Sequence, residues 1–154
     1  MNGVSKLTTV EEVTLVTFDH APASPAFLSD FFRLAAEKRI NIDMVSQTAP
    51  QGGNISLSCT IMDHELTDIL AVNSALKGKY PALRAASNAG NAKIVLNGDM
   101  KDSYGVMDRV ISLFAEKQVE INLITTSEDE ISILVSGSSL GKIIPSLKER
   151  FTID

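Results

Sequence analysis

Apolar residues in the first third of the chain fall into a helical rhythm. Leu28, Phe31, Phe32, Ala35 and Ala36 are spaced i, i+3, i+4, i+7, i+8, the stripe of a helix packed on one side. The pattern returns 79 positions later as Met107, Val110, Ile111, Phe114 and Ala115. Behind each stripe comes an apolar run of strand character. Ile40-Asn41-Ile42-Asp43-Met44-Val45-Ser46-Gln47 is matched by Val119-Glu120-Ile121-Asn122-Leu123-Ile124-Thr125-Thr126 at the same offset. A long period present twice indicates a duplicated unit rather than a solenoid.

The remaining elements follow from alternation and punctuation. Val10–Phe18 is rich in β-branched residues and predicts a strand. Ser24-Pro25 supplies an N-cap oxygen and a proline at the first helical position, opening a helix that runs to about Arg39. Ile42–Gln47 and Ile55–Met62 predict strands joined by the turn residues 49–54. Asp63–Lys77 predicts a second helix, with Leu66, Ile69, Leu70 and Leu76 on its apolar side and Gly78 ending it. Leu83–Ser87 is the next strand, and Asn88-Ala89-Gly90-Asn91 reads as a linker. The order then repeats: strand 92–97, helix 105–117, strands 121–126 and 131–136, and a helix from Ser139 that Pro145 kinks or shortens. The fold class is α+β: two ferredoxin-like βαββαβ units, with antiparallel sheets carrying helices on one face. The first unit spans 10–88 and the second 89–154. Too little chain follows Pro145 for a last strand, so residues 4–8 are expected to complete the second unit.

Composition narrows the function. Apolar content of 44% and charge of 21% are ordinary for a globular chain. A net charge of −5 disfavours nucleic acid and anionic membrane as partners. The single cysteine, Cys59, implies no internal disulfide and a cytoplasmic setting. No apolar run approaches a membrane span, and no signal peptide precedes the first strand. Catalytic chemistry is sparse. His20 and His64 have no ligand-spaced partner, Cys59 sits mid-strand at an apolar position, and no phosphate-binding glycine fingerprint or metal cluster is present. No cofactor is expected. Binding is better served, because residues 21–24 and 101–105 each lead into a helix N-terminus, where free N–H groups favour a small carboxylate. Asn41 and Asp43, or Glu120 and Asn122, are candidates for an ammonium group. Equally, Asn41 reads as a helix-to-strand turn residue and Ser103 as an N-cap.

The chain resembles the tandem ACT-domain regulatory region of aspartokinases. The resemblance rests on Pro25 with the 27–32 helix, 40–45 with Gln47, Gly98-Asp99-Met100-Lys101, Gly105-Val106, and Leu123-Ile124-Thr125-Thr126-Ser127-Glu128. It implies a non-catalytic, amino-acid-sensing module that holds a lysine- or threonine-type effector where ACT units pair, and that controls an enzyme of aspartate-family amino-acid biosynthesis. By position, the first unit's ligand residues would be Ser24, Ala26, Phe27, Leu28, Asn41, Ile42, Asp43 and Gln47. The second unit's would be Ser103, Gly105, Val106, Met107, Glu120, Ile121, Asn122, Thr126, Ser127 and Glu128. The usual Asp-Lys-Pro-Gly loop reads Ala23-Ser24-Pro25-Ala26 here, Tyr104 replaces the second unit's proline, and Glu120 stands at the position of Asn41. Implied partners are a second copy in a homodimer and a catalytic kinase subunit or domain, since no stretch of this chain would position ATP. The alternatives are a pure dimerisation module without ligand, and a fragment or subunit of an active aspartate kinase.

Overall fold

The computed structural model describes residues 3–154. They form six strands and four helices: β1 (Lys6–Pro22), α1 (Pro25–Glu37), β2 (Val45–Gln47), β3 (Asn54–Met62), α2 (Leu66–Lys79), β4 (Arg84–Asn97), α3 (Val106–Lys117), β5 (Leu123–Thr126), β6 (Glu130–Ser136) and α4 (Leu140–Phe151). A short 3₁₀ turn precedes α2 at Asp63–Glu65, and another precedes α4 at Gly137–Ser139. The chain divides into two compact units. One is Val13–Ala89, and the other is Gly90–Asp154 together with the N-terminal segment to Glu12. These are called the first and second repeat below.

In the first repeat β3 is central, antiparallel to β1 on one side and to β2 on the other. Val16 faces Cys59 and Phe18 faces Leu57 across β1–β3. α1 and α2 pack their apolar sides on this sheet. Phe27, Phe31 and Ala35 are fully buried with Phe18, Leu57, Cys59, Ile61, Ile69 and Leu76. Phe18 meets Phe27 and Phe31 edge-on, at centroid distances of 6.0 and 4.9 Å, a favoured aromatic geometry. The stripe therefore turns slightly from the expected one. Phe27 rather than Phe32 is interior, and Phe32 stays exposed.

The second repeat reproduces the plan. β6 is antiparallel to both β4 and β5, and Ile133 faces Ile94 and Ile124. Val106, Val110, Leu113 and Phe114 of α3 and Ile143, Leu147 and Phe151 of α4 close the core. Val4 is buried among them, and the Ser5 N–H donates to the Asn97 carbonyl at 2.8 Å. Gly98 is required beside this segment, because a β-carbon there would collide with the Gly3 carbonyl.

Helix ends show the duplication most directly. Arg39 N–H bonds to the Ala36 carbonyl and Ile40 N–H to the Ala35 carbonyl, with Arg39 left-handed at φ 56°. Gln118 and Val119 repeat these bonds to Ala115 and Phe114, with Gln118 at φ 54°. α4 closes the same way, through Thr152 and Ile153. Each is a Schellman closure with a side-chain-bearing residue at the position that glycine usually takes.

Several expected elements differ. α2 continues through Gly78 to Lys79, its last turn held by the Tyr80 N–H on the Leu76 carbonyl. Leu70 is 51% exposed, while Val72 and Asn73 are interior. The turn-rich residues 88–91 lie inside β4, where Gly90 takes φ 77° and leaves the strand unbroken. Glu12, at φ 58°, does the same inside β1. β2 and β5 are shorter than expected because 40–43 and 119–122 are spent on the helix closures and an irregular approach to the sheet. Pro145 is accommodated within α4.

Candidate functional site

α1 starts at a true cap. Ser24 is extended, and its Oγ accepts the Ala26 N–H at 3.2 Å, with Pro25 at the first helical position. Beside this helix start lies a cleft of about 140 Å³ lined by Ala23, Ser24, Pro25, Leu28, Gln47, Pro50 and Ile55. The second repeat has a cleft in the same place, of about 220 Å³, lined by Met100, Ser103, Gly105, Val106, Met107, Thr126, Ser127 and Ile131. At the offset of 79, Ser24, Leu28 and Gln47 become Ser103, Met107 and Thr126. The two starts are finished differently. Gly105 caps α3 at φ 85°, with no side chain accepting from the first turn, and the Ser103 hydroxyl turns back to donate to the Asp99 carbonyl at 3.0 Å. Backbone at positive φ without a β-carbon leaves the α3 start open to a ligand, whereas Ala26 puts a methyl on the α1 start.

Of the expected residues, Ser24, Leu28 and Gln47 line the first cleft. Ala26 is exposed on the first turn, and Phe27 points into the core beneath it. Ser103, Gly105, Val106, Met107, Thr126 and Ser127 come together in the second cleft. Glu128 lines a neighbouring groove with Asp99, Lys101 and Asp129, and its carbonyl accepts the Met100 N–H at 3.3 Å. Asn41, Ile42 and Asp43 lie beyond the other end of α1. A helix of 13 residues is about 20 Å long, so this trio is remote from Ser24 within its repeat. There, the Asn41 N–H donates to Glu65 Oε2 at 2.8 Å, Ile42 packs on the core, and the Asp43 N–H donates to the Thr60 carbonyl at 3.0 Å. Glu120, Ile121 and Asn122 hold the equivalent place; Asn122 N–H donates to the Leu134 carbonyl, and its side-chain amide to Asn91 Oδ1 at 3.0 Å. Pro50, Ile55, Met100 and Ile131 complete the clefts and were not anticipated. Met100 was reachable through the same offset, which places it on Ala21.

The supports of α1 are electrostatic as well as apolar. Asp30 accepts from Lys79 Nζ at 2.7 Å and from the Tyr80 hydroxyl at 2.6 Å. These bonds, Lys79's first, hold its carboxyl at about 2 against an ordinary 3.8. Tyr80 also meets Phe27 edge-on at 5.2 Å, tying the start of α1 to the end of α2. The Cys59 thiol is pushed up to about 12 by burial, which makes it a core group rather than a nucleophile. Among the described residues no group of histidine, cysteine, aspartate and glutamate has metal-binding geometry, and no helix is long and apolar enough to cross a membrane.

Residues 94–151 match the family model of the ACT domain. The chain is 28% identical over 144 residues to the aspartokinase of Bacillus sp. (strain MGA3), covering 93% of this chain and 35% of that protein. It is 29% identical over 154 residues to the aspartokinase of Mycolicibacterium smegmatis, covering 98% and 36%. The chain thus spans about a third of the length of the curated relatives it matches. Its fold is that of the ligand-free regulatory subunit of aspartate kinase from Thermus thermophilus, with a TM-score of 0.87 at 18% identity over 97% of this chain and 99% of that one. The aspartate kinase from Synechocystis superposes with a TM-score of 0.92 at 24% identity, over 98% of this chain and 27% of the other.

Proposed function

We propose that this chain, a regulatory ACT region homologous to the C-terminal regulatory domains of aspartokinases, senses a small free amino acid of the lysine or threonine type. In this reading it does no chemistry itself and controls an aspartate kinase catalytic domain or subunit. The observation that carries the reading is the repeated cleft: the same positions line an opening at a helix N-terminus in both repeats. The ligand carboxylate takes the first-turn N–H groups of Met107 and Asp108, where the helix dipole favours an anion; at the α1 start it has to displace Ser24, which already holds the Ala26 and Phe27 N–H groups. Leu28 or Met107 covers its side chain, and Gln47 or Thr126 with Ser127 gives polar contacts. The cleft at α3 is the roomier, and its glycine cap leaves the helix start uncovered, so it is the better site of the two. A single ligand does not span from these clefts to Asn41–Asp43 or Glu120–Asn122 in one repeat. Those residues contribute its ammonium contacts when a paired subunit of a homodimer presents them. Regulation then follows from preference of the ligand for one arrangement of paired subunits, and its effect is limited to that difference in affinity.

Thermal unfolding with each proteinogenic amino acid tests this. A ligand at a hundred times its Kd stabilises by about 2.7 kcal/mol, a shift of several degrees for a chain of this size. L-lysine or L-threonine is expected to give such a shift, and Met107→Asp, which sets a carboxylate beside the α3 start, to abolish it. If none of the twenty moves the wild-type midpoint, the chain is a pairing module without an amino-acid ligand.

A further inference from the structure

A different cleft, bordering the one at the α1 start through Ile55, forms where β1 leaves its ladder with β3. Phe18 pairs with Leu57, and the next pairing is Ala21 with Ile55, so β1 carries one extra residue. Such bulges bend a strand and re-aim its side chains. His20 takes φ 54° there, a region that side-chain-bearing residues seldom adopt. The bulge borders an opening of about 370 Å³ lined chiefly by Asp19, His20, Thr48, Gln51, Asn54 and Arg84. Its far wall is fixed: Ser56 N–H donates to Thr48 Oγ1 at 2.9 Å, and Thr48 N–H to the Ser56 carbonyl at 3.0 Å. The Ser56 hydroxyl in turn donates to Asp19 Oδ1 at 2.7 Å, pinning the carboxylate. Among the described residues, none gives the Arg84 guanidinium a carboxylate partner.

One pinned carboxylate and one uncommitted guanidinium therefore face the same opening without pairing to each other. A simple anion drawn to Arg84 is repelled by Asp19, and a simple cation at Asp19 is repelled by Arg84. A molecule carrying both charges gains at both ends. The duplication supplies a control. Gly98, Asp99 and Ser127 stand at the positions of Asp19, His20 and Thr48, and the corresponding groove adds Lys101, Glu128 and Asp129. With no side chain at the Asp19 position and three carboxylates against one lysine, that groove lacks the arrangement.

We propose that the cleft at the β1 bulge of the first repeat binds a free α-amino acid as its zwitterion. The carboxylate lies on the Arg84 fork, which suits a planar two-oxygen partner, and the ammonium lies on Asp19. The amides of Gln51 and Asn54 and the His20 ring face the rest of the molecule. Its polar groups are not those of the clefts at the α1 and α3 starts, although it shares Ile55 with the first, and the amides that move tell the two assignments apart. The test is amide-resolved NMR of the full chain, titrated singly with each of the twenty proteinogenic amino acids and with acetate and methylamine as the two halves. At least one amino acid moves the amides of Asp19, His20, Gln51 and Asn54 saturably, and each half does so at least about tenfold more weakly. Arg84→Gln and Asp19→Asn each weaken the amino acid about tenfold, or about 1.4 kcal/mol, with the remaining amides unmoved as proof of folding. The proposal is overturned if no amino acid shifts these amides, if acetate binds as well as the amino acid, or if Asp19→Asn tightens binding, which marks a plain anion site. Shifts confined to 26–28 or 106–108 overturn it while leaving the helix-start assignment standing.

Discussion

Replacing Glu65 by glutamine removes one acceptor from a buried junction that uses both. Glu65 is only 7% exposed. Its Oε2 accepts the Asn41 N–H at 2.8 Å and its Oε1 the Met62 N–H at 3.0 Å. The carboxylate thus ties the stretch after α1 to the junction of β3 and α2. In glutamine one of the two atoms becomes an NH₂ facing a backbone N–H, so one bond is lost and two donors oppose each other. A hydrogen bond to a charged acceptor contributes about 1.5–3 kcal/mol, and stranding a buried N–H costs about 1–3 kcal/mol. These overlap, since the second is partly the first seen from the donor's side, and the expected loss is about 2–4 kcal/mol. Glu65→Ala strands both N–H groups and opens a cavity, so it should cost more than the glutamine variant. Equilibrium urea unfolding measures both, and amide exchange at Asn41 and Met62 reads the bonds themselves. Because 1.4 kcal/mol is tenfold, protection at those two amides should fall at least about thirtyfold. If Glu65→Gln lies within about 0.5 kcal/mol of wild type and Asn41 keeps its protection, the junction is held by packing and the reasoning is wrong.

Thr152, a β-branched residue at φ 54°, closes α4 in a conformation that costs roughly 1–2 kcal/mol, so Thr152→Gly should stabilise the chain by about 1 kcal/mol in urea melts and Arg39→Gly by somewhat less. A loss of stability in both would refute the strain account. Asp30's carboxyl is lowered to about 2 from 3.8, first by the Lys79 hydrogen bond and then by Tyr80. A depressed acid stabilises above its unfolded value and loses that contribution as pH falls through the folded one. The destabilisation by Asp30→Asn should therefore be constant above about pH 4 and shrink between 3.8 and 2; urea midpoints at pH 6 and 2.5 decide it. Cys59, its thiol pushed up to about 12 by burial, should resist a thiol-specific reagent at pH 8 in the native protein and react at once in urea. Fast native reaction would mean that the β3 core opens readily.

What the sequence made legible is what depends on period. The helical stripes, the duplicated offset and the strand alternation all reflect burial on one face, and burial chose the fold. Misreadings arose where local chemistry pointed one way and the sheet the other. Asn88-Ala89-Gly90-Asn91 has turn composition, but its groups lie within a continuous β4, and Gly90's positive φ is absorbed as an irregularity of the strand. Gly78 suggested a stop, but a glycine ends a helix only when the chain needs the left-handed turn. That turn is taken by Arg39, Gln118 and Thr152, none of which advertises it. The clefts were half legible for a related reason. Ser24 could be placed by helix-start chemistry, and Leu28, Gln47 and the second-repeat counterparts by the family resemblance. Chain order puts Asn41 and Asp43 after the end of α1, but how far that carries them from Ser24 is not set until the helix forms. The length of α1 decides this, and it also fixes what a ligand must be given. An amino acid at either helix start has a carboxylate partner in its own repeat, while the Asn41–Asp43 stretch lies about 20 Å away. If both sets bind one molecule, the second must come from another repeat, and where a second subunit supplies it, association is a condition of full affinity. Affinity measured by calorimetry should then rise with protein concentration across the range in which sedimentation shows the chain associating. A constant affinity from monomer to dimer would assign the ligand to one chain alone.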